Sequence, residues 1–257
     1  MTLDGEGVPG EAGDGRETEG GKKDRFLARL SPYRRRAWFP IAEERRAPPT
    51  ASKFSGIPFI KRGEDWPCCP NCEHEMALFA QINAGDLPTA AAKPFGPGIL
   101  QVFYCTTDDP SCEEQCEAMA PFAESTLVRV VPGTGMFREF RRSPVIGAFP
   151  ERAVVTFEAW DDYPEADELE EMGTFLDASE RDLYADLGYP QPGDKLFGWP
   201  TWLAGTSYPR CPDCDEPMAF LLQLESGDNL PFEFGDQGCA LITRCPQHPH
   251  RLTVSWA

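Results

Sequence analysis

With 257 residues and a formal net charge of −18, the chain is long enough for a substantial core and too acidic to track a phosphate backbone, which needs clustered Lys and Arg. No apolar run approaches the roughly 18 residues that a membrane-spanning helix requires, so no membrane or nucleic-acid partner is expected. The ten cysteines come with nothing resembling a signal peptide, which argues for reduced thiols in a cytoplasmic protein and against a disulfide framework.

Residues 1–24 are Gly/Glu/Asp-rich and almost without apolar side chains, so they read as a disordered tail. Residues 25–52 read as an N-terminal helix and linker. Phe26, Leu27 and Leu30 stand at helical spacing, with Arg25, Arg29, Arg34, Arg35 and Arg36 around them. A solvated helix packing its apolar stripe explains this better than a basic arm, and Pro48 and Pro49 end the segment.

From Lys53 the chain states a motif that it repeats at Lys195. KFSGIPFIKRGEDWPCCPNCEHEMALFAQINAGD aligns without a gap on KLFGWPTWLAGTSYPRCPDCDEPMAFLLQLESGD at an offset of 142 residues. Thirteen of 34 positions are identical, among them Lys53/Lys195, Gly56/Gly198, Pro58/Pro200, Gln81/Gln223 and Asp86/Asp228. A shared metal knuckle would explain the cysteines alone; the other identities indicate internal duplication. The halves are repeat one at 53–160, an acidic connector at 161–194 and repeat two at 195–257.

Each Cys-Pro-x-Cys is followed by an apolar strand, Met76 to Ile82 or Met218 to Leu224, and then by a second, Ile99 to Tyr104 or Ala240 to Thr243. If each pair of strands runs antiparallel, the return strand delivers Cys105 or Cys245 beside the Cys-x-x-Cys where the outward strand began. The first metal set is therefore Cys69, Cys72 and Cys105 with Cys112, or Cys116 as substitute. The second is Cys211, Cys214 and Cys245 with His248 or His250. Four-Cys and Cys3His sets are the donor chemistry of closed structural zinc, so two zinc ions are expected. A redox dithiol fits less well, because such a pair opens a helix, whereas these precede strands.

Gln81 and Gln223 fall mid-strand, as structural hydrogen-bonders or as amides offered to a bound peptide. Trp199 and Trp202 read as packing under the second hairpin, with ligand stacking as the alternative. Leu127 to Val131, Val154 to Trp160 and Leu252 to Trp256 alternate as strands should, and a short helix is expected near Ala178 to Leu187. Between Glu158 and Asp186 stand twelve acidic residues and a single Arg181, either a solvated surface or a landing site for a basic protein. No phosphate loop, dinucleotide fingerprint, nucleophile elbow, zinc-protease helix or deaminase spacing is present, so no enzyme is expected.

The order Lys-x-x-Gly-x-Pro, Cys-Pro-x-Cys, apolar strand, Gln-Ile/Leu, together with Phe234-Gly235-Asp236-x-Gly238, resembles the bacterial YwqG family, a domain of unknown function. Gly198 to Cys245 is similar to the eukaryotic programmed cell death protein two. The resemblance covers roughly residues 50–257. It implies a β-rich α+β fold with pseudo-duplicated halves, each here on a zinc-ribbon-like hairpin. It also implies a binder of other proteins: the eukaryotic relatives are chaperones of a small-subunit ribosomal protein, and YwqG-like genes look similar to immunity components of toxin systems. The expectation is a zinc-stabilised protein-binding module for a basic client; an antitoxin-type inhibitor and an uncharacterised enzyme are the alternatives.

Overall fold

The computed structural model describes residues 19–91, 95–113 and 120–256. The chain divides into two compact units, Met1–Pro32 and Tyr33–Ala257. In the first, helix α1 (Glu19–Arg29) carries the Arg29 guanidinium 5.5 Å from the centre of the Phe26 ring, one turn away. Residues 19–24 are thus helical where a disordered tail was expected, and the rest of that tail lies outside the described residues.

The second unit is a ten-stranded sheet. Its strands are β1 (Arg35–Glu44), β2 (Lys53–Phe54), β3 (Ala77–Asn83), β4 (Gly98–Tyr104), β5 (Thr126–Pro132), β6 (Arg152–Asp162), β7 (Lys195–Phe197), β8 (Ala219–Glu225), β9 (Cys239–Arg244) and β10 (Leu252–Trp256). Helix α2 (Pro110–Glu113) follows β4; α3 (Ala166–Glu171) and α4 (Ala178–Leu187) lie between β6 and β7. The order is β10-β9-β8-β7-β1-β6-β2-β3-β4-β5, and every paired neighbour is antiparallel. The ends curl toward each other, leaving a nearly closed barrel. Across the seam the Phe122 N–H donates to Thr253 Oγ1 at 2.6 Å, and Tyr104 meets Trp256 edge-on at 5.4 Å.

The order reads the same from both ends. Lys53 pairs with Gln81 and Lys195 with Gln223, again 142 residues apart, and both outer hairpins slip register at one equivalent place, between Leu78 and Ala80 and between Phe220 and Leu222. The leading strands cross over: β1 precedes the first half in the chain yet pairs with β7, and β6 precedes the second half yet pairs with β2.

β3 and β8 are covered on both faces, which is why they read as continuous apolar runs rather than alternating ones. The inner face closes on an aromatic cluster in which Phe79, Phe232 and Phe234 meet edge-to-face at 4.9–5.9 Å. The outer face of β3–β4 is covered by the chain between β2 and β3, through buried Phe59, Ile60 and Trp66; Trp199 and Trp202 cover the second half.

One expectation fails at the N-terminal segment. Residues 25–52 are not a helix and linker: α1 stops at Arg29 and β1 occupies Arg35–Glu44 in the middle of the sheet. The arginine run at 34–36 hid this, because it belongs to the exposed start of a strand whose Ala37, Trp38 and Pro40 are buried. Among the described residues no helix is long and apolar enough to cross a membrane.

Candidate metal centres

Each Cys-x-x-Cys sits in a tight turn built the same way twice. Cys69 N–H donates to His74 O and Glu73 N–H to Cys69 O, each at 2.8 Å; Cys211 N–H donates to Glu216 O at 3.0 Å and Asp215 N–H to Cys211 O at 2.8 Å. Met76 and Met218 N–H then bond back to Pro67 and Pro209, starting the strand in register. The turn needs a left-handed residue, supplied by Glu73 at φ 60° and Asp215 at φ 59°.

The returning strands bring the remaining ligands. Cys69, Cys72, Cys105 and Cys112 form one group and Cys211, Cys214, Cys245 and His248 another, with the candidate ligand atoms within 4.8 Å of one another. Cys112 comes from α2, seven residues past Cys105; His248 comes from a turn in which its own N–H donates to Cys245 Sγ at 3.2 Å. His250 lies outside the group, exposed, 3.4 Å from Asp213. Cys116 lies outside the described residues.

The spacings suit a tetrahedral ion. Cys69–Cys112 is 3.8 Å, Cys72–Cys105 and Cys105–Cys112 are 3.5 Å, Cys214–Cys245 is 3.7 Å, and His248 Nδ1 is 3.7 Å from both Cys211 and Cys245. A tetrahedron with metal–sulfur bonds of about 2.3 Å has edges of about 3.8 Å. A disulfide needs about 2.05 Å, so these are not bonded pairs. Electrostatics point the same way. Burial is the largest influence on Cys69 and pushes its thiol up, yet the N–H groups of Asn71 and Cys72 and the thiols of Cys105 and Cys112 outweigh it and hold Cys69 below its ordinary value. Burial pushes Cys105 up to about 12 and raises Cys112 too. A dication held among these sulfurs would favour their thiolate forms. The spare thiols stand apart: Cys68 is exposed, and buried Cys239 bonds Thr201 O.

The identities outside the cysteines hold the frame. Lys53 Nζ, 1% exposed, donates to Ile57 O at 3.0 Å and Glu151 Oε1 at 3.2 Å; Lys195 Nζ, 0% exposed, donates to Gln191 O at 2.5 Å and Asp162 Oδ2 at 3.1 Å. Gly56 and Gly198 have φ of 79° and 72°, and a Cβ would strike the lysine's partner side chain, Glu151 at 2.5 Å or Asp162 at 2.4 Å. Ser52 N–H donates to Asp86 and Asp194 N–H to Asp228, at 2.7 and 2.8 Å.

Gln81 and Gln223 are fully buried and bond the chain itself. Gln81 accepts from Phe59 N–H and donates to Pro49 O and Ala51 O; Gln223 accepts from Thr201 N–H and donates to Gly193 O. Neither amide has surface to offer a bound peptide. Trp199 and Trp202 are buried as well: Trp199 Nε1 donates to Tyr33 O with the Arg35 guanidinium 3.3 Å above its ring, and Trp202 Nε1 donates to Glu168. The carboxylates Glu151 and Asp162 were missed in the sequence, because Glu151 just precedes β6, Asp162 ends it, and the two share no motif.

Fold and site together define a barrel-like β protein with two Cys/His tetrads, one per half, each able to hold a metal ion. A family profile described as a domain of unknown function (DUF1963) matches residues 52–244, and the chain belongs to this family. Six of the eight tetrad residues fall inside the match; Cys245 and His248 follow it directly. Among curated proteins, none matches this chain.

Proposed function

We propose that the chain is a zinc-stabilised protein-binding module built from two duplicated, zinc-ribbon-like halves. Duplication is supported by the shared offset, the shared slip in register and the equivalent lysine, glutamine and aspartate bonds. Zinc is supported by soft thiolates, tetrahedral spacing and donor sets complete without water, which makes each site structural rather than catalytic. Bound there, the ion would lock the knuckle to the returning strand. Zinc content by elemental analysis tests this: two ions per chain, one after Cys72→Ser and one after Cys214→Ser. No zinc in the parent chain sinks the reading.

The observation that carries the binding role is Trp160, 57% exposed on a central strand. Its face of the β1–β6 pair carries Phe39 and Ile41 opposite Glu158 and Thr156, and Ile41 is 39% exposed. An uncovered apolar strip between two covered halves is the kind of surface proteins use for partners. Glu158, Glu43 and Glu44 border it within a chain of net charge −18, which favours a basic client with apolar anchors, as the resemblance to the ribosomal-protein chaperones also suggests. The acidic connector contributes less than its composition implies, since Asp162 and Glu168 are buried and bonded internally. Arrays of basic peptides with apolar residues, and acidic counterparts of matched hydropathy, test the proposal. The chain should retain the basic set only, lose it with added salt, and lose it in Trp160→Glu; equal retention of both sets overturns it.

A further inference from the structure

Beside the Lys53–Glu151 pair lies a cavity of about 500 Å3, within the range of small-molecule sites. Lys53 and Pro58 line it, Arg46 borders it on one side, and Phe137, Arg138 and Arg141 on the other. The segment between β5 and β6 that carries Phe137 to Arg141 is fixed by backbone bonds, Arg62 N–H to Met136 O at 3.0 Å and Arg138 N–H to Ile60 O at 2.8 Å. Phe137 packs against Phe59 and Phe140 against Trp66, so the aromatic wall is held from behind. A shallower continuation runs along Arg45, Arg46 and Arg141, with Glu44 at its rim.

The charge here runs against the rest of the molecule. Four cations line the cavity against Glu139 and Glu151, and Glu151 is already matched by Lys53. Arg138 reaches Asp65 at 2.6 Å, but that carboxylate is 95% exposed and holds it weakly. Arg46 and Arg141 have no hydrogen-bond or ion-pair partner among the described residues. Among the described residues the equivalent place in the second half is filled. Where Ile57 borders the cavity, Trp199 lies buried under Arg35, and Glu165 and Glu168 on and beside α3 bond Trp202.

We propose that this cleft binds a small phosphate ester with a flat apolar body, one molecule per chain. Two unpaired guanidiniums with Arg138 beside them call for more than the single charge of a carboxylate. A phosphomonoester brings nearly two negative charges and three acceptor oxygens that match guanidinium forks. Phe137 and Phe140 offer aromatic surface for the body. The proposal rests neither on the client-binding reading nor on the metal tetrads.

Calorimetric titration with AMP, adenosine and inorganic phosphate at low ionic strength tests it. AMP should bind saturably at one per chain, inorganic phosphate more weakly, and adenosine not at all. Arg46→Glu and Arg141→Glu should each weaken AMP by about tenfold or more. Neither side chain bonds the fold, so circular dichroism should be unchanged. Absence of saturable AMP binding, adenosine binding as tightly as AMP, or unaltered AMP affinity in both Arg46→Glu and Arg141→Glu would each overturn the proposal.

Discussion

The two halves share a frame and differ in what closes it. Around Lys195 the long connector supplies Gln191, Glu165 and Glu168, and Asp162 accepts from Lys195 Nζ and from the N–H groups of Tyr163, Gln191 and Trp199. Around Lys53 the short link from β1 leaves Glu151 16% exposed beside an open, basic cavity. The same motif therefore sits in a sealed setting in one half and in an accessible one in the other. Bonds common to both halves hold a frame; the loops between them decide whether a surface is left to bind anything.

The largest effect should come from the fourth ligands, which also differ. Cys112 ties the chain between β4 and β5 to the first tetrad, whereas His248 is only three residues past Cys245. With zinc bound, Cys112→Ser should cost on the order of 5 kcal/mol of unfolding free energy and His248→Ala about half as much. Urea unfolding of each variant with zinc present checks this, and equal losses would erase the distinction.

Next come the lysines. Burial lowers both from their ordinary values, and the partner carboxylate only partly offsets it. Lys195→Met strands a fully buried Asp162 and should cost about 3–5 kcal/mol. Lys53→Met leaves Glu151 with solvent and the Ala47 N–H, and should cost about 1–3 kcal/mol. The reverse order in urea unfolding would show that the exposed half is the tighter one.

Much of this was legible because the chain says it twice. The strands after each knuckle, β6, β10 and α4 stand where alternation and apolar runs put them, and one member of each alternative ligand pair, Cys112 and His248, joins its tetrad. What stayed hidden lacks a repeat. β1 opens on two of three consecutive arginines, and it is laid against the opposite half, a crossing that no local pattern encodes. Glu151 just precedes β6 and Asp162 ends it, so no shared spacing marks them as lysine partners. The basic cavity draws its walls from three separated segments, each unremarkable alone.

A pH effect separates the halves at positions 52 and 194. Ser52 Oγ accepts from Asn83 N–H at 2.9 Å, and Asp194 Oδ1 accepts from the equivalent Glu225 N–H at 2.6 Å. Burial, reinforced by Asp228, pushes the Asp194 carboxyl up to about 7, although Glu225 and Asn229 donate to it. The folded state thus holds this proton more tightly than the unfolded chain, where Asp titrates near about 3.9. Its stabilisation is full at low pH and is lost as pH rises through about 7, worth about 2.5 kcal/mol between about pH 5 and 8. Asp194→Ser, which copies the first half, should flatten that slope in urea unfolding measured across this range. An unchanged slope would assign the pH dependence elsewhere.

The smallest effect lies in the knuckles themselves. Both need a left-handed residue and neither uses glycine, but Asp tolerates that conformation better than Glu. Asp215 also carries bonds from Arg210, through its backbone oxygen and, at 3.4 Å, its exposed carboxylate. Glu73→Gly should therefore relieve strain and gain about 0.5 kcal/mol after glycine's greater freedom in the unfolded chain is set against it. Asp215→Gly should gain almost nothing, since it also removes an ion pair worth at most about 1 kcal/mol. Thermal unfolding of the two variants side by side decides this. A larger gain at Asp215 would mean that the second knuckle is the more strained, and that its Arg210 contacts do not compensate.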